Sequence, residues 1–204
     1  MSRFTRSPRR WIVACLLCLG FWQFGQGAYI PAKAWMAQEL MQRAWSRGRE
    51  GAAQPVPWPW ADTWPVARLR VPAMNRELYV LAGADGSSLA FGPGHLDGTA
   101  LPGIGTSVVG GHRDTHFRFL EGLPAGTRIN VQDGSGRWHV YRTGNPGILD
   151  VRRDELRIDP GANQLVLVTC YPFNALRAGG PLRYVVIAEA VEHRVPARTR
   201  EKGA

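Results

Sequence analysis

Residues 164–170 read Gln-Leu-Val-Leu-Val-Thr-Cys. Four apolar residues in succession, Leu165 to Val168, lack the in–out alternation of a half-wet strand, so this run predicts a strand covered on both faces. It delivers Thr169 and Cys170 at its end. Outward from it, short β-rich runs recur: VARLRV (66–71), ELYVL (77–81), TSVVGG (106–111), TRINV (127–131), RWHVYRT (137–143) and LRYVVIAEAV (182–191). Turn-forming clusters such as Gly83-Ala84-Asp85-Gly86 and Asp133-Gly134-Ser135-Gly136 separate them. No long amphipathic helix interrupts the series between residues 66 and 192. The expected class is all-β, a closed or nearly closed barrel.

The chain of 204 residues has room for one such domain and accessory segments. Its net charge of +9 suggests nucleic acid until it is located. Eight basic and two acidic residues lie in 1–50, and four basic and one acidic in the tail 193–204. The middle, 51–192, is left neutral, with 13 residues of each sign. A nucleic-acid partner is therefore not expected. Basic ends beside an apolar stretch suit a membrane surface better.

Residues 1–10 contain four arginines and no acid, and read as a basic cytoplasmic N-terminus. From Trp11 to Ala32 there is no charged residue. About 20 helical residues cross the ~30 Å core of a bilayer, so 11–32 is expected to be an uncleaved transmembrane signal anchor. Cys15 and Cys18 fall inside it as small apolar residues, not as a redox pair. Apolar pairs then recur every four residues from Met36 to Trp45, as in an amphipathic helical stalk, which Gly48 ends. Residues 51–65, rich in proline and tryptophan, predict an extended linker, so that 33–65 is stalk and linker together.

The folded part owns a single cysteine, Cys170. A thiol performs acyl chemistry as its thiolate, which needs nearby positive charge or a proton acceptor. Candidates are His112 in Gly110-Gly111-His112-Arg113-Asp114-Thr115-His116 and Arg183 at the start of the last strand. Taken singly, each residue has a bland reading: a core cysteine, a turn histidine, a surface arginine. Their joint placement where strands meet loops favours function. Asp114 is expected to orient the ring of His112. His112 and His116 have i, i+4 spacing, but the Gly-Gly before them disfavours a helix and the pair lacks the Glu of HExxH, so no metal is expected.

These segments resemble the sortase family, most nearly its class D-like and proteobacterial members. The resemblance covers residues 91–192. Val166-Leu167-Val168-Thr169-Cys170 is similar to the family's TLxTC strand end, departing at the first Thr; Gly111-His112-Arg113 and Arg183 match the other two motifs. The resemblance implies an eight-stranded β-barrel with short helices, over 66–192. It also implies a membrane-anchored transpeptidase that cuts an LPxTG-like sorting signal and passes the released carbonyl to an amine acceptor at the cell envelope. Cys170 would be nucleophile, His112 proton-transfer partner and Arg183 the clamp on developing negative charge. Thr169 and Tyr171 would help shape the site, and His95 would be structural support. No cofactor is implied. The expected location is the bacterial inner membrane, single-pass, with the domain facing the periplasm. A cysteine hydrolase using the same residues, with water as acceptor, is the alternative. Leu101-Pro102-Gly103-Ile104-Gly105 looks like a sorting signal but is internal and lacks the Thr, so the chain reads as enzyme, not substrate.

Overall fold

The computed structural model describes residues 8–159, 161–175 and 179–191. The basic tail at 193–204 and the first seven residues lie outside them. The chain divides into two compact units, Met1–Leu40 and Met41–Ala204, each described by itself.

Helix α1 runs Pro8–Arg49. In the first unit its large apolar side chains Trp11, Ile12, Leu16, Leu17 and Leu19 are exposed. Among the described residues no helix is long and apolar enough to cross a membrane, so the expected transmembrane span over 11–32 is not supported. The physical reason is that freedom from charge is not apolarity. Gly20, Gln23, Gly25, Gln26, Gly27, Tyr29 and Pro31 dilute the run. In the second unit the end of α1 buries Met41, Ala44 and Trp45, with the Trp45 ring 6.4 Å from that of Tyr79.

Residues 51–64 contain no helix or strand. Prolines deny them a backbone ladder, and side chains fasten them instead. Trp58 meets Phe91 edge-on at 4.7 Å, and Thr63 Oγ1 donates to the Ala82 carbonyl at 2.7 Å.

Nine strands follow: β1 (Pro65–Val71), β2 (Arg76–Ala82), β3 (Gly94–His95), β4 (Ser107–Gly110), β5 (Arg128–Gln132), β6 (Trp138–Thr143), β7 (Gly147–Asp150), β8 (Gln164–Cys170) and β9 (Leu182–Ala190). Eight of them, β7 excepted and the two-residue β3 included, form a closed ring, which fits the eight-stranded barrel expected. A single helical turn, α2 (Gly86–Leu89), is capped by the Asp85 side chain accepting from Ser88 N. The strand order β6-β5-β1-β2-β3-β4-β8-β9 closes on itself because β6 also pairs with β9. β9 divides one edge between two partners: its first half pairs with β7 and its end with β6. β7 therefore hangs outside the closed ring.

The inward face of β8 carries Leu165 and Leu167, which join Leu69, Val109, Ile129, Tyr141, Val186 and Ala188 in the main core. The outward face carries Val166 and Val168, packed with Val108 and Val185 under Leu149, Leu156 and Ile158. Hence the unbroken apolar run: both faces of β8 are dry.

Two features yield tests. Tyr141 is fully buried; its Oη accepts from Gly103 N at 2.8 Å and donates to Asn163 Oδ1 at 3.3 Å. Tyr141→Phe leaves both partners unsatisfied and should cost about 1–3 kcal/mol, lowering Tm by several degrees; an unchanged melting curve would refute this. In the β5–β6 hairpin, Asp133 accepts from His139 Nε2 at 2.7 Å, Ser135 Oγ at 2.6 Å and Arg137 N at 3.0 Å. Burial alone would raise its pKa, yet these bonds outweigh it and hold the carboxyl at about 2. A depressed carboxyl stabilises the fold above the unfolded-state value near 4 and loses that contribution as pH falls through about 2. After solvent screening the effect is on the order of 1 kcal/mol. The Tm gap between wild type and Asp133→Asn should therefore be present at pH 6 and shrink toward pH 2.

Candidate active site

Cys170 ends β8, and its Cα partner across the antiparallel ladder is Arg183 on β9. Alternation puts Val166, Val168 and Cys170 on the outward face, with Val185 and Arg183 beside them. On the other flank β4 runs parallel to β8 in the register Gly110↔Val168. Gly111 N continues that ladder to the Val168 carbonyl at 3.1 Å, and Thr169 Oγ1 donates to the Gly111 carbonyl at 2.7 Å. His112 is the next residue of the chain after Gly111, two positions beyond the end of β4. Its side chain is exposed, whereas Cys170 is half-buried.

Gly111 is required by space. A Cβ there would stand 2.7 Å from the ring of Phe117, a fully buried residue whose own amide donates to the His112 carbonyl. The turn after β4 thus wraps round Phe117, with Gly111 flat against its ring.

A groove of about 540 Å³ opens on this outward face, with Thr169, Cys170 and Arg183 among its lining residues. Its other walls are mostly aliphatic: Leu89 from α2, Leu96 after β3, Leu149 from β7, and Val151 and Leu156 beyond it. Arg183 Nη1 donates to the carbonyls of Gly180 at 2.6 Å and Leu182 at 3.0 Å, which holds the guanidinium at the groove.

The other expected residues fall into place differently. Thr169 is buried and supports the Gly111 turn. His95, on β3, is buried with its Nε2 3.0 Å from the Ala100 carbonyl, a structural role. Tyr171 stacks on Tyr184 at 6.0 Å and meets Phe173 edge-on, packed against the main core rather than lining the groove. Asp114 does not take the part expected of it. Its carboxylate is engaged by Arg113, Nε to Oδ1 at 3.0 Å and Nη2 to Oδ2 at 3.2 Å. The hydrogen bond from Arg113 holds its pKa low, and the charge of His112 is the smallest of the influences on it. An adjacent guanidinium offers a planar fork that an imidazole cannot match.

Arg113 was given no role of its own in the sequence reading, and His116 was weighed there only as half of a metal-binding pair. Arg113, only 8 % exposed, donates from Nη1 to the Pro172 carbonyl at 2.7 Å and from Nη2 to the Ala175 carbonyl at 3.1 Å. His116 lies in a turn, not on a helix, with its ring 6.3 Å from that of His112. Its Nδ1 is buried without a partner, and burial, followed by the charge of His112, pushes its pKa down.

Residues 69–191 match the Sortase domain family. The chain belongs to the sortase family. Among relatives, sortase D of Bacillus subtilis (strain 168) is 31% identical over 127 residues, 60% of this chain and 62% of that protein. The match thus spans less than two thirds of that sortase's length. Among solved structures, sortase C-1 from Actinomyces oris superposes with a TM-score of 0.56 at 26% identity, covering 76% of this chain and 98% of that one. A Clostridium perfringens sortase C, described with the C-terminal cell wall sorting motif, gives 0.56 at 20% identity, covering 79% and 90%. At that identity the second likeness speaks for the sortase fold alone.

Proposed function

We propose that this chain is a cysteine transpeptidase that cleaves an LPxTG-like sorting signal and transfers the released acyl group to an amine. The observation that carries the reading is the facing pair Cys170–Arg183 among the lining of an aliphatic groove, and His112, two residues beyond the neighbouring strand β4, is the proton carrier the reading assigns to it. An extended peptide with aliphatic side chains fits such a groove, its scissile carbonyl reaching the thiolate at the end.

The Cys170 thiolate attacks that carbonyl, and Arg183 stabilises the oxygen as negative charge gathers on it. His112 as imidazolium protonates the leaving amine when the C–N bond breaks. The neutral imidazole then takes a proton from the incoming amine, which displaces the thiolate and forms the new amide. This cycle regenerates the starting charges and needs no other group. The sorting motif named for the Clostridium perfringens protein makes a peptide of that kind the first substrate to try.

Location at the bacterial inner membrane, with the domain on the periplasmic side, belongs to the same proposal. The four arginines of residues 1–10, beside a stretch uncharged from Trp11 to Ala32, support attraction to a membrane surface. The test of function incubates the full chain in detergent with a library of LPxTG-like peptides and reads intact mass. A peptide-sized adduct on Cys170, discharged by added amines into a new amide, is expected. Discharge by water alone would make the protein a hydrolase, and no adduct with any peptide would overturn the reading.

A further inference from the structure

Arg113 is a buried guanidinium to which the transfer reaction as written gives no task. It joins two loops: its own, which carries His112, and the loop directly after Cys170, through the carbonyls of Pro172 and Ala175. Tying loops together does not require a charge. Neutral donors reach two carbonyls without the cost of burying a cation. What a guanidinium adds is positive charge, and its bonds to the Pro172 and Ala175 carbonyls hold that charge against the loop that leaves Cys170. Asp114, on the solvent side, opposes that charge through two hydrogen bonds.

We propose that Arg113 is a positioning residue for Cys170: it fixes the loop at 171–175 and, balanced by Asp114, supplies positive charge that the thiolate meets before substrate arrives. The inference rests on Cys170 being the nucleophile. Among the described residues, the other titratable or charged groups on the elements around Cys170 are His112 and His116 from the same loop as Arg113, Arg183 and Tyr184 from β9, Tyr171 next in the chain, and Arg118, which donates to the Phe173 carbonyl at 3.2 Å and pairs with Glu121. From the β7 side the groove receives the aliphatic Leu149, Val151 and Leu156, while Asp150 and Arg152 are bound to each other at 2.6 Å. Among the described residues Arg183 faces Cys170 across the ladder, while Arg113 and Arg118 bond the loop that follows it. Arg113 carries its counter-charge on the adjacent Asp114, so its effect can be weakened or strengthened by changing one neighbour or the other.

The test is the pH profile of iodoacetamide alkylation of Cys170 in the full chain, read by peptide mass because Cys15 and Cys18 are exposed. Arg113→Gln removes the cation and should move the midpoint up. Asp114→Asn removes the counter-charge at a solvent-exposed side chain and should move it down. Arg113→Lys should return the midpoint toward wild type while leaving the peptide KM altered, since an ammonium keeps the charge and loses the fork. Opposite shifts from the two neutralising variants are an outcome that simple loss of structure does not produce. Midpoints that stay fixed, or that move together, overturn the inference. Should Arg113→Gln fail to fold, Asp114→Asn decides alone, and no fall in its midpoint overturns the inference. A wild-type chain that forms no peptide adduct at Cys170 overturns the nucleophile reading and this inference with it.

Discussion

Alanine at position 170 is expected to abolish peptide adduct formation and to lower single-turnover acyl transfer by about 10⁴-fold or more, since removing an enzyme's nucleophile leaves only its binding and oxyanion stabilisation. The fold should survive the change. Cys170 is half-buried at the very end of β8, its side chain directed to the groove and not to the main core. Far-UV circular dichroism and Tm should therefore match wild type to within a few degrees. The partner residues should fall in a graded series. His112→Ala removes proton transfer in both half-reactions and should cost about 10²–10⁴-fold. Arg183→Ala removes one stabilising donor and should cost about 10²–10³-fold, the magnitude found for single oxyanion donors. Single-turnover mass spectrometry with one peptide measures all three on the same scale. Adduct in Cys170→Ala, or near-normal turnover in either of the others, would strip that residue of its role.

The second large effect is expected far from any reacting atom. Gly111→Ala inserts a methyl group where 2.7 Å separates the new carbon from the Phe117 ring, and Phe117 has no free space to retreat into. The turn must give instead. It is held by the Gly111 amide on the Val168 carbonyl and by the Thr169 hydroxyl on the Gly111 carbonyl, so a displacement there breaks the register between β4 and β8. Overpacking of this kind costs about 1–3 kcal/mol, and because His112 is the next residue the catalytic loss should exceed the loss of stability. Alkylation of Cys170 together with adduct formation separates the two: a folded variant with a reactive thiol and little peptide transfer is the expected result. Wild-type transfer would show that the turn absorbs the methyl group without moving His112.

Much of the barrel could be read from residues alone, because strands with one wet face or two dry ones leave a pattern. Seven runs were marked, and each contains a strand in the structure. The two that were missed explain themselves. β3 is two residues long, too short for any alternation, and exists because Gly94 and His95 are bracketed by Gly110 and Val109. β7 follows Pro146 and begins with Gly147, residue types that carry no strand signal. What makes it a strand is the free half-edge of β9, a tertiary fact. At the site, the facing of Cys170 and Arg183 across β8 and β9 was legible because both stand near strand ends. Arg113 was not, because a loop arginine looks like surface until the carbonyls of Pro172 and Ala175, some 60 positions away, fold over it. Asp114 was given to the wrong neighbour for a related reason: proximity in sequence does not say which of two cations has the better fork. The N-terminal stretch was read from its lack of charge, and its glycines and glutamines count against it in a way that a charge tally ignores.

The ring of the barrel is closed by β6 meeting the far end of β9, and β7 takes no part in that closure. One wall of the groove, Leu149 with the Val151 and Leu156 that follow, is consequently built as an appendage. Such a segment is modular: so long as the pairing of Leu149 with Arg183 is kept, it can be exchanged for a longer, shorter or differently shaped one without renegotiating the shear of the barrel. A chimera that carries another sortase's sequence from Gly147 to Ile158 should keep its thiol chemistry and change its choice of peptide, which makes this stretch the natural place to engineer recognition.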